Sequence, residues 1–222
     1  MTGFYSKNSH NIFSAKKNLL RSEVASKIIM EFLKIVNRYE GTNNEFKVYN
    51  EKTRTGFLKH FIVRNNEKNE VMIIVVVNKK SQYKSLIKVL ERLYEENDEI
   101  KSVYISIKQE KDNVILGKEI NHIFGSEYIE EEMEGIKFKI YPNSFFQVNK
   151  KQALKLYGKG IEYLGKSNDK TIVDAFSGTG TIAMILSKKI KKVIGIESVE
   201  NSVNAGNLTV KENELKNVEL IN

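Results

Sequence analysis

Thr171-Ile-Val-Asp-Ala-Phe-Ser-Gly-Thr-Gly-Thr181, followed at a short interval by Val193-Ile-Gly-Ile-Glu197, decides the fold class of this chain. The first stretch is a short apolar run ending in Asp174, then a turn holding Gly178 and Gly180, then the start of a helix over 181–188. The second is a strand over 192–196 that ends on a carboxylate. Reading outward, the spacing predicts a helix over 150–164 before these stretches, and a helix over 201–214 and a strand over 218–221 after them. Strands alternating with helices of this length predict an α/β fold with a parallel, doubly wound, Rossmann-like sheet. Ligands of such a sheet lie beyond the carboxyl ends of its strands.

Further upstream the rhythm changes near Tyr141-Pro142, where the only proline stands. A boundary there divides the chain into an α+β domain over 1–140 and the N-terminal part of the parallel domain over 141–222. In the first segment, Leu20, Val24, Ile28, Phe32, Ile35 and Val36 recur at helical spacing and predict a helix over 17–39. Strands are expected over 57–64, 71–77 and 102–107, with an amphipathic helix over 82–94. Short strands over 113–116, 127–132 and 136–140, set off by Gly117, Gly125 and Gly135, complete a mostly antiparallel sheet.

Composition narrows the function. The chain has 222 residues, 41% of them hydrophobic, enough for one large or two small cores. Lys and Arg number 36 against 28 Asp and Glu, a formal net charge of +8 that favours a polyanionic partner such as RNA. Cysteine is absent, which removes disulfides, thiolate nucleophiles, iron–sulfur clusters and Cys-based zinc sites together. The longest apolar run, Val71 to Val77, is too short to span a bilayer, and no leader pattern opens the chain, so a cytoplasmic location is expected.

The glycine turn allows two nucleoside readings. Gly178-Thr-Gly180-Thr-Ile-Ala183 satisfies a dinucleotide pattern with alanine in the third position, and Glu197 lies where a carboxylate accepts both hydroxyls of a ribose. An NAD-linked oxidoreductase is therefore one alternative. Against it, Asp174 sets a carboxylate beside the loop, which would repel a pyrophosphate. S-adenosylmethionine carries an ammonium and a positive sulfur and no pyrophosphate, so the same carboxylate favours it.

The segment Tyr141-Pro-Asn-Ser-Phe-Phe-Gln-Val-Asn149, with the helix containing Ala153 and Leu156-Tyr157, resembles the opening motif of the RNA uracil-5-methyltransferase family. Asp174-Ala-Phe-Ser-Gly-Thr-Gly-Thr181 is similar to that family's donor loop, with Ser177 in place of a cysteine. Val193-Ile-Gly-Ile-Glu197 and the asparagine-rich stretch from Asn201 through Asn217 continue the likeness. Upstream, Gly3 through His10, Gly56 through Arg64 and Ile115-Leu-Gly117 resemble the family's central domain. The resemblance implies an S-adenosylmethionine-dependent enzyme acting on carbon 5 of uridine in rRNA or tRNA. Its cofactor-binding residues would be Gln147 at the amino-acid tail, Phe176 and Gly178 in the loop and Glu197 at the ribose. Gln147 is otherwise readable as a cap or turn residue before the helix, while Phe145 and Phe146 are expected in the core.

The family's chemistry needs a thiolate that adds to carbon 6 of uracil and a carboxylate base that later removes the carbon-5 proton. The chain stops before the Asp-Pro-Pro-Arg segment, catalytic cysteine and terminal glutamate of the family. It also lacks the family's N-terminal barrel and cluster cysteines, Ala15 standing where a last one would fall. The expectation is a fragment with no catalytic residue of its own, inactive alone, or else a non-enzymatic RNA- or donor-binding module. With the rest of the sheet absent, Thr171 to Asp174 becomes an edge through which copies of the chain are expected to associate.

Overall fold

The run Val71-Met-Ile-Ile-Val-Val-Val77 organises the first half of the chain. Its β-branched residues favour a strand, and all seven are buried, as a central strand requires. The computed structural model describes residues 3–5, 12–14, 21–79, 83–110, 112–165 and 169–222. These fall into two units, Met1–Ile129 and Glu130–Asn222.

In the first unit a small hairpin joins β1 (Gly3–Tyr5) and β2 (Ile12–Ser14), and helix α1 (Glu23–Tyr39) follows. The main sheet has the order β3 (Leu58–Asn65), β4 (Val71–Val77), β5 (Ile100–Ile107), β6 (Glu119–Gly125). Strands β4 and β5 are parallel, joined through helix α2 (Lys84–Glu96), while β3 and β6 run antiparallel on the outside. Helix α1 starts where Ser22 Oγ accepts the Ala25 N–H, and it buries Ile28, Phe32 and Val36. Helix α2 buries Leu86, Leu90 and Leu93. Both stripes meet Val71, Ile73, Val75 and Val77 in one core, where Phe32 stacks on Phe61 at 4.0 Å. Positions 17–20 and 82, included in the predicted helices, lie outside the described residues, as do most of Gly3 through His10 and Ala15.

One strand differs from expectation. Residues 113–116 form no strand; Asp112 Oδ1 accepts the Val114 N–H and holds a turn instead. The strand is β6, seven residues whose alternation is interrupted by a register shift opposite Val103 and Tyr104. Ile123 and Phe124 consequently both touch the core despite being neighbours in sequence, which hides the period of two.

The second unit opens with the hairpin of β7 (Ile129–Met133) and β8 (Ile136–Ile140), then helix α3 (Lys150–Leu164). Asn149 caps α3 through its side chain, which accepts the Gln152 N–H. Next come β9 (Thr171–Ala175), α4 (Thr181–Leu186), β10 (Lys192–Ile196), α5 (Glu200–Glu212) and β11 (Val218–Ile221). The three last strands form a parallel sheet in the order β9-β10-β11, so the α/β reading holds and β9 lies at an edge.

The expected boundary at Tyr141 left the β7–β8 hairpin with the first domain, whereas contacts join it to the second. Met133, Ile136 and Phe138 pack into the core formed by α3, α4 and the parallel sheet. Polar groups fasten the same hairpin. Asn213 pairs with both backbone groups of Lys137, at 2.9 and 2.8 Å, and Lys139 meets Glu212. Lys150 pairs with Glu131, and Lys188 donates to the Glu134 carbonyl.

Pairing register separates the two faces of the parallel sheet. Ile172, Val193 and Val218 share one face with Asp174, Gly195 and Leu220. Val193, Val218 and Leu220 are buried there against residues of α4 and α5. The opposite face carries Val173, Ile194 and Glu219 in one row and Ala175, Ile196 and Ile221 in the next. There Val173 is 55% exposed, Ile196 42% and Ile221 40%.

Candidate functional site

Where β9 ends, the chain turns sharply enough to need left-handed backbone at three alternate positions: Phe176 (φ 62°), Gly178 (φ 59°) and Gly180 (φ 79°). Glycine adopts this freely, but an aromatic residue does so at a cost of about 1–3 kcal/mol. Phe176 nevertheless stands 94% exposed at the crest of the loop. Helix α5 approaches the underside closely: a methyl group at Gly206 would come within 2.6 Å of the Thr179 carbonyl oxygen.

The loop is tied to the ends of its neighbouring strands. Ser177 N–H donates to the Ile196 carbonyl at 2.9 Å, and Gly180 N–H closes back on the Ser177 carbonyl at 2.8 Å. Glu197, at the end of β10, accepts the Gly178 N–H through Oε2 at 3.0 Å. Its Oε1 accepts the Val199 N–H at 2.9 Å and the Ser198 hydroxyl at 3.2 Å. Backbone donation from Val199, then from Gly178, holds the Glu197 carboxyl below the usual carboxylate range. An ionised carboxylate offers about four acceptor positions, so Glu197 retains capacity for a ligand hydroxyl while it latches the loop.

Asp174 faces the other way. Its Oδ2 accepts the Ala183 N–H at 3.1 Å, in the first turn of α4. Burial pushes its pKa up, partly opposed by that hydrogen bond. Tyr157 of α3 is also pushed up, first by burial and then by the nearby Asp174 charge. Tyr157 shares the buried face of α3 with Ala153, at helical spacing from it.

Of the four residues expected to bind the cofactor, the structure joins Gly178 and Glu197 by a hydrogen bond and sets Phe176 two residues before Gly178. Gln147 lies exposed in the segment leading to α3, and among the described residues no hydrogen bond links it to the loop. It does not cap the helix, which Asn149 does. Phe145 and Phe146, both expected in the core, part company: Phe146 packs on Phe138 at 5.7 Å, but Phe145 is 76% exposed. Neighbours in the sequence thus do not share one core here.

Ser177 has no partner for its buried Oγ, which would lie 2.9 Å from a Cβ placed on Gly195. An unsatisfied buried hydroxyl costs about 1–3 kcal/mol. Ser177→Ala is therefore expected to raise stability by about 1 kcal/mol, seen as a higher urea midpoint at unchanged slope. A lower midpoint would refute the unsatisfied state of that hydroxyl.

The arrangement suits a nucleoside that is cationic rather than phosphorylated. A dinucleotide sets its pyrophosphate against the loop amides and the helix N-terminus. Here the Gly178, Gly180 and Ala183 amides already serve Glu197, Ser177 and Asp174. Among the described residues no group of three or more His, Cys, Asp or Glu is placed to hold a metal ion, and no helix is long and apolar enough to cross a membrane.

Residues 21–222 match the family described as tRNA (Uracil-5-)-methyltransferase. An RNA methyltransferase of Fusobacterium nucleatum is 41% identical over 100% of this chain and 47% of its own length. One from Clostridium tetani is 35% identical over 99% of this chain and 46% of its own. The crystal structure of Pyrococcus abyssi tRNA (uracil-54, C5)-methyltransferase in complex with S-adenosyl-L-homocysteine superposes with a TM-score of 0.69. It is 27% identical and covers 90% of this chain and 46% of that one. The chain thus spans about half the length of the relatives it matches.

Proposed function

This chain belongs to the tRNA (uracil-5-)-methyltransferase family, and on that premise we propose that its second unit is the methyl-donor half of an S-adenosylmethionine-dependent enzyme acting on carbon 5 of uridine in rRNA or tRNA. The observation that carries this reading is the Asp174 carboxylate at the first turn of α4, hydrogen-bonded to Ala183 N–H where a dinucleotide would place its phosphates. A cationic sulfonium gains from that charge and a pyrophosphate loses. When bound, the cofactor would supply the methyl group. Glu197 would accept its ribose hydroxyls, Gly178 and Phe176 would flank the adenosine, and Gln147 would meet the amino-acid tail.

The Pyrococcus abyssi protein supports the donor and the uridine, since it acts at carbon 5 of uracil-54 in tRNA and holds the demethylated cofactor. The net charge of +8 supports an RNA partner, met in the cytoplasm. Isothermal titration with S-adenosylmethionine, S-adenosylhomocysteine and NAD tests the reading. The two sulfur nucleosides are expected to bind and NAD to bind more weakly; tighter binding of NAD overturns it. A second reading, a donor- or RNA-binding module without catalysis, is favoured by the absence of cysteine from the 222 residues.

The uncovered edge of β9 points to association between copies when nothing else pairs with it. Light scattering of the purified chain is expected to show mass rising with concentration. A monodisperse monomer at high concentration removes that partner.

A further inference from the structure

We infer that the cavity between the end of α4 and the start of β10 is a contact site for the phosphodiester backbone of an RNA, held by Lys189 and Lys191 at the end of the parallel sheet away from the donor loop. The run Leu186-Ser-Lys-Lys-Ile-Lys-Lys-Val193 sets four lysines in five positions. Ile190 is buried in the core of the second unit, while Lys189 and Lys191 on either side of it are exposed. Ser187, Lys188, Lys189, Ile190, Lys191 and Asn217 line an open cavity of about 510 Å³. None of these is acidic, although the chain has 28 Asp and Glu to place there.

Two ordinary uses of such lysines do not apply. Lysines near a helix end often offset its dipole, but no basic residue stands in the last turn of α4, and that effect fades within one turn. Nor are the charges spent on ion pairs. Lys137, Lys139, Lys150, Lys159 and Lys192 of the same unit each meet a glutamate, and Lys188 donates to the Glu134 carbonyl. Lys189 and Lys191 form no ion pair among the described residues. Carbonyls that would repel an anion are engaged: Asn217 Nδ2 donates to those of Ser187 and Ile190 at 2.7 and 2.8 Å. Lys189 N–H donates to the Leu186 carbonyl at 2.9 Å, and Val193 N–H to that of Asn217 at 2.8 Å. The backbone that carries the lysines is therefore fixed before a partner arrives, which spares the cost of ordering it.

Charge and shape indicate the partner. The cavity is open, and lysines act as point charges without the fork that selects one planar anion, which suits a repeated phosphate better than a single enclosed ligand. The choice of RNA rests on the reading proposed above; a nucleic-acid strand brings a phosphate every few ångströms. Lys192 opens β10 and Glu197 follows its end, roughly 16 Å away at the usual rise per residue. A phosphate held in the cavity is thus too distant to touch the donor or the reacting uracil. Its contribution is to affinity and register, not to the choice of base.

Fluorescence anisotropy of this chain with an unmodified tRNA transcript, over a series of KCl concentrations, tests the site. The double variant Lys189→Ala with Lys191→Ala is expected to bind roughly 25- to 60-fold more weakly at about 0.1 M KCl. The slope of log K against log salt should flatten by roughly 1.4–1.8, the share of two phosphate contacts. Arginine at both positions should preserve binding. Lys27→Ala with Lys34→Ala removes the same charge from exposed positions of α1 and serves as the comparison. An equal loss from that pair would assign the effect to net charge and overturn the site, as would an unchanged slope in the first variant or no RNA binding by the parent chain. Acetylation footprinting of the parent chain reads the site without any substitution: RNA is expected to shield Lys189 and Lys191, and equal labelling with and without RNA overturns it. Polyglutamate competing better than RNA at equal charge overturns the choice of partner. Calorimetry with S-adenosylmethionine keeps the two readings apart, since the lysine variant should retain the parent's donor affinity. Failure of the parent itself to bind the donor counts against the donor reading alone.

Discussion

Replacing Glu197 by alanine is expected to weaken S-adenosylmethionine binding by roughly 1–3 kcal/mol, about 5- to 150-fold in Kd, in a protein that still folds. Two losses combine. The variant removes the proposed acceptor of the ribose hydroxyls, and it also frees the Gly178 and Val199 amides that Glu197 now holds at 3.0 and 2.9 Å. Glu197→Gln separates them, because a carboxamide keeps one acceptor oxygen and the same reach. An intermediate Kd for glutamine locates the effect in acceptor number; equality with alanine locates it in charge. Unchanged affinity in a folded Glu197→Ala variant removes the residue from the site.

Acidity should act on this site through two carboxylates of opposite tendency. The Glu197 pKa is depressed, so its loop-holding contribution is present above the usual carboxylate range and is lost only as pH falls through the depressed value. Asp174 is raised by burial, so the folded state favours its protonated form. Its contribution to stability therefore declines as pH climbs from the ordinary carboxylate range through the raised value. The charge that attracts a sulfonium appears over the same interval. Donor affinity is expected to rise with pH there, and a Glu197 variant should keep this dependence.

The second large effect expected is an absence of turnover. Carbon 5 of uracil is a weak nucleophile, and the family overcomes this by thiolate addition at carbon 6. None of the 222 residues is cysteine, and a serine or tyrosine hydroxyl at neutral pH has no comparable nucleophilicity. Incubating this chain by itself with methyl-labelled donor and unmodified tRNA or rRNA is expected to yield no 5-methyluridine above a protein-free control. Calorimetry on the same preparation should still report donor binding. Formation of 5-methyluridine over repeated turnovers would refute the inactivity and demand another nucleophile.

Much of the fold was legible because periodicity and glycine placement agree in the second unit. The strands 192–196 and 218–221 and the helix 150–164 coincide with β10, β11 and α3, and Gly178 and Gly180 occupy left-handed turns. Strand β6 was not legible, since a register shift sets Ile123 and Phe124 against the same core. Neither was the allegiance of the β7–β8 hairpin, which depends on Asn213 reaching Lys137 across the sequence. At the site, residue types indicated Glu197 and the loop, but not that Glu197 latches Gly178. The proximity of Tyr157 to Asp174 was not legible either, since one lies on a helix and the other on a strand that meet only in three dimensions.

The Asn213–Lys137 clip joins positions 76 residues apart. A two-stranded hairpin is marginal in water without something to pack on. During synthesis, Ile136 and Phe138 would leave the ribosome well before α5 exists to receive them. At usual elongation rates of about 5–20 residues per second, that interval lasts roughly 4–15 seconds. The nascent hairpin thus waits through that interval for its partner on α5, and slowing translation should lengthen the wait in proportion.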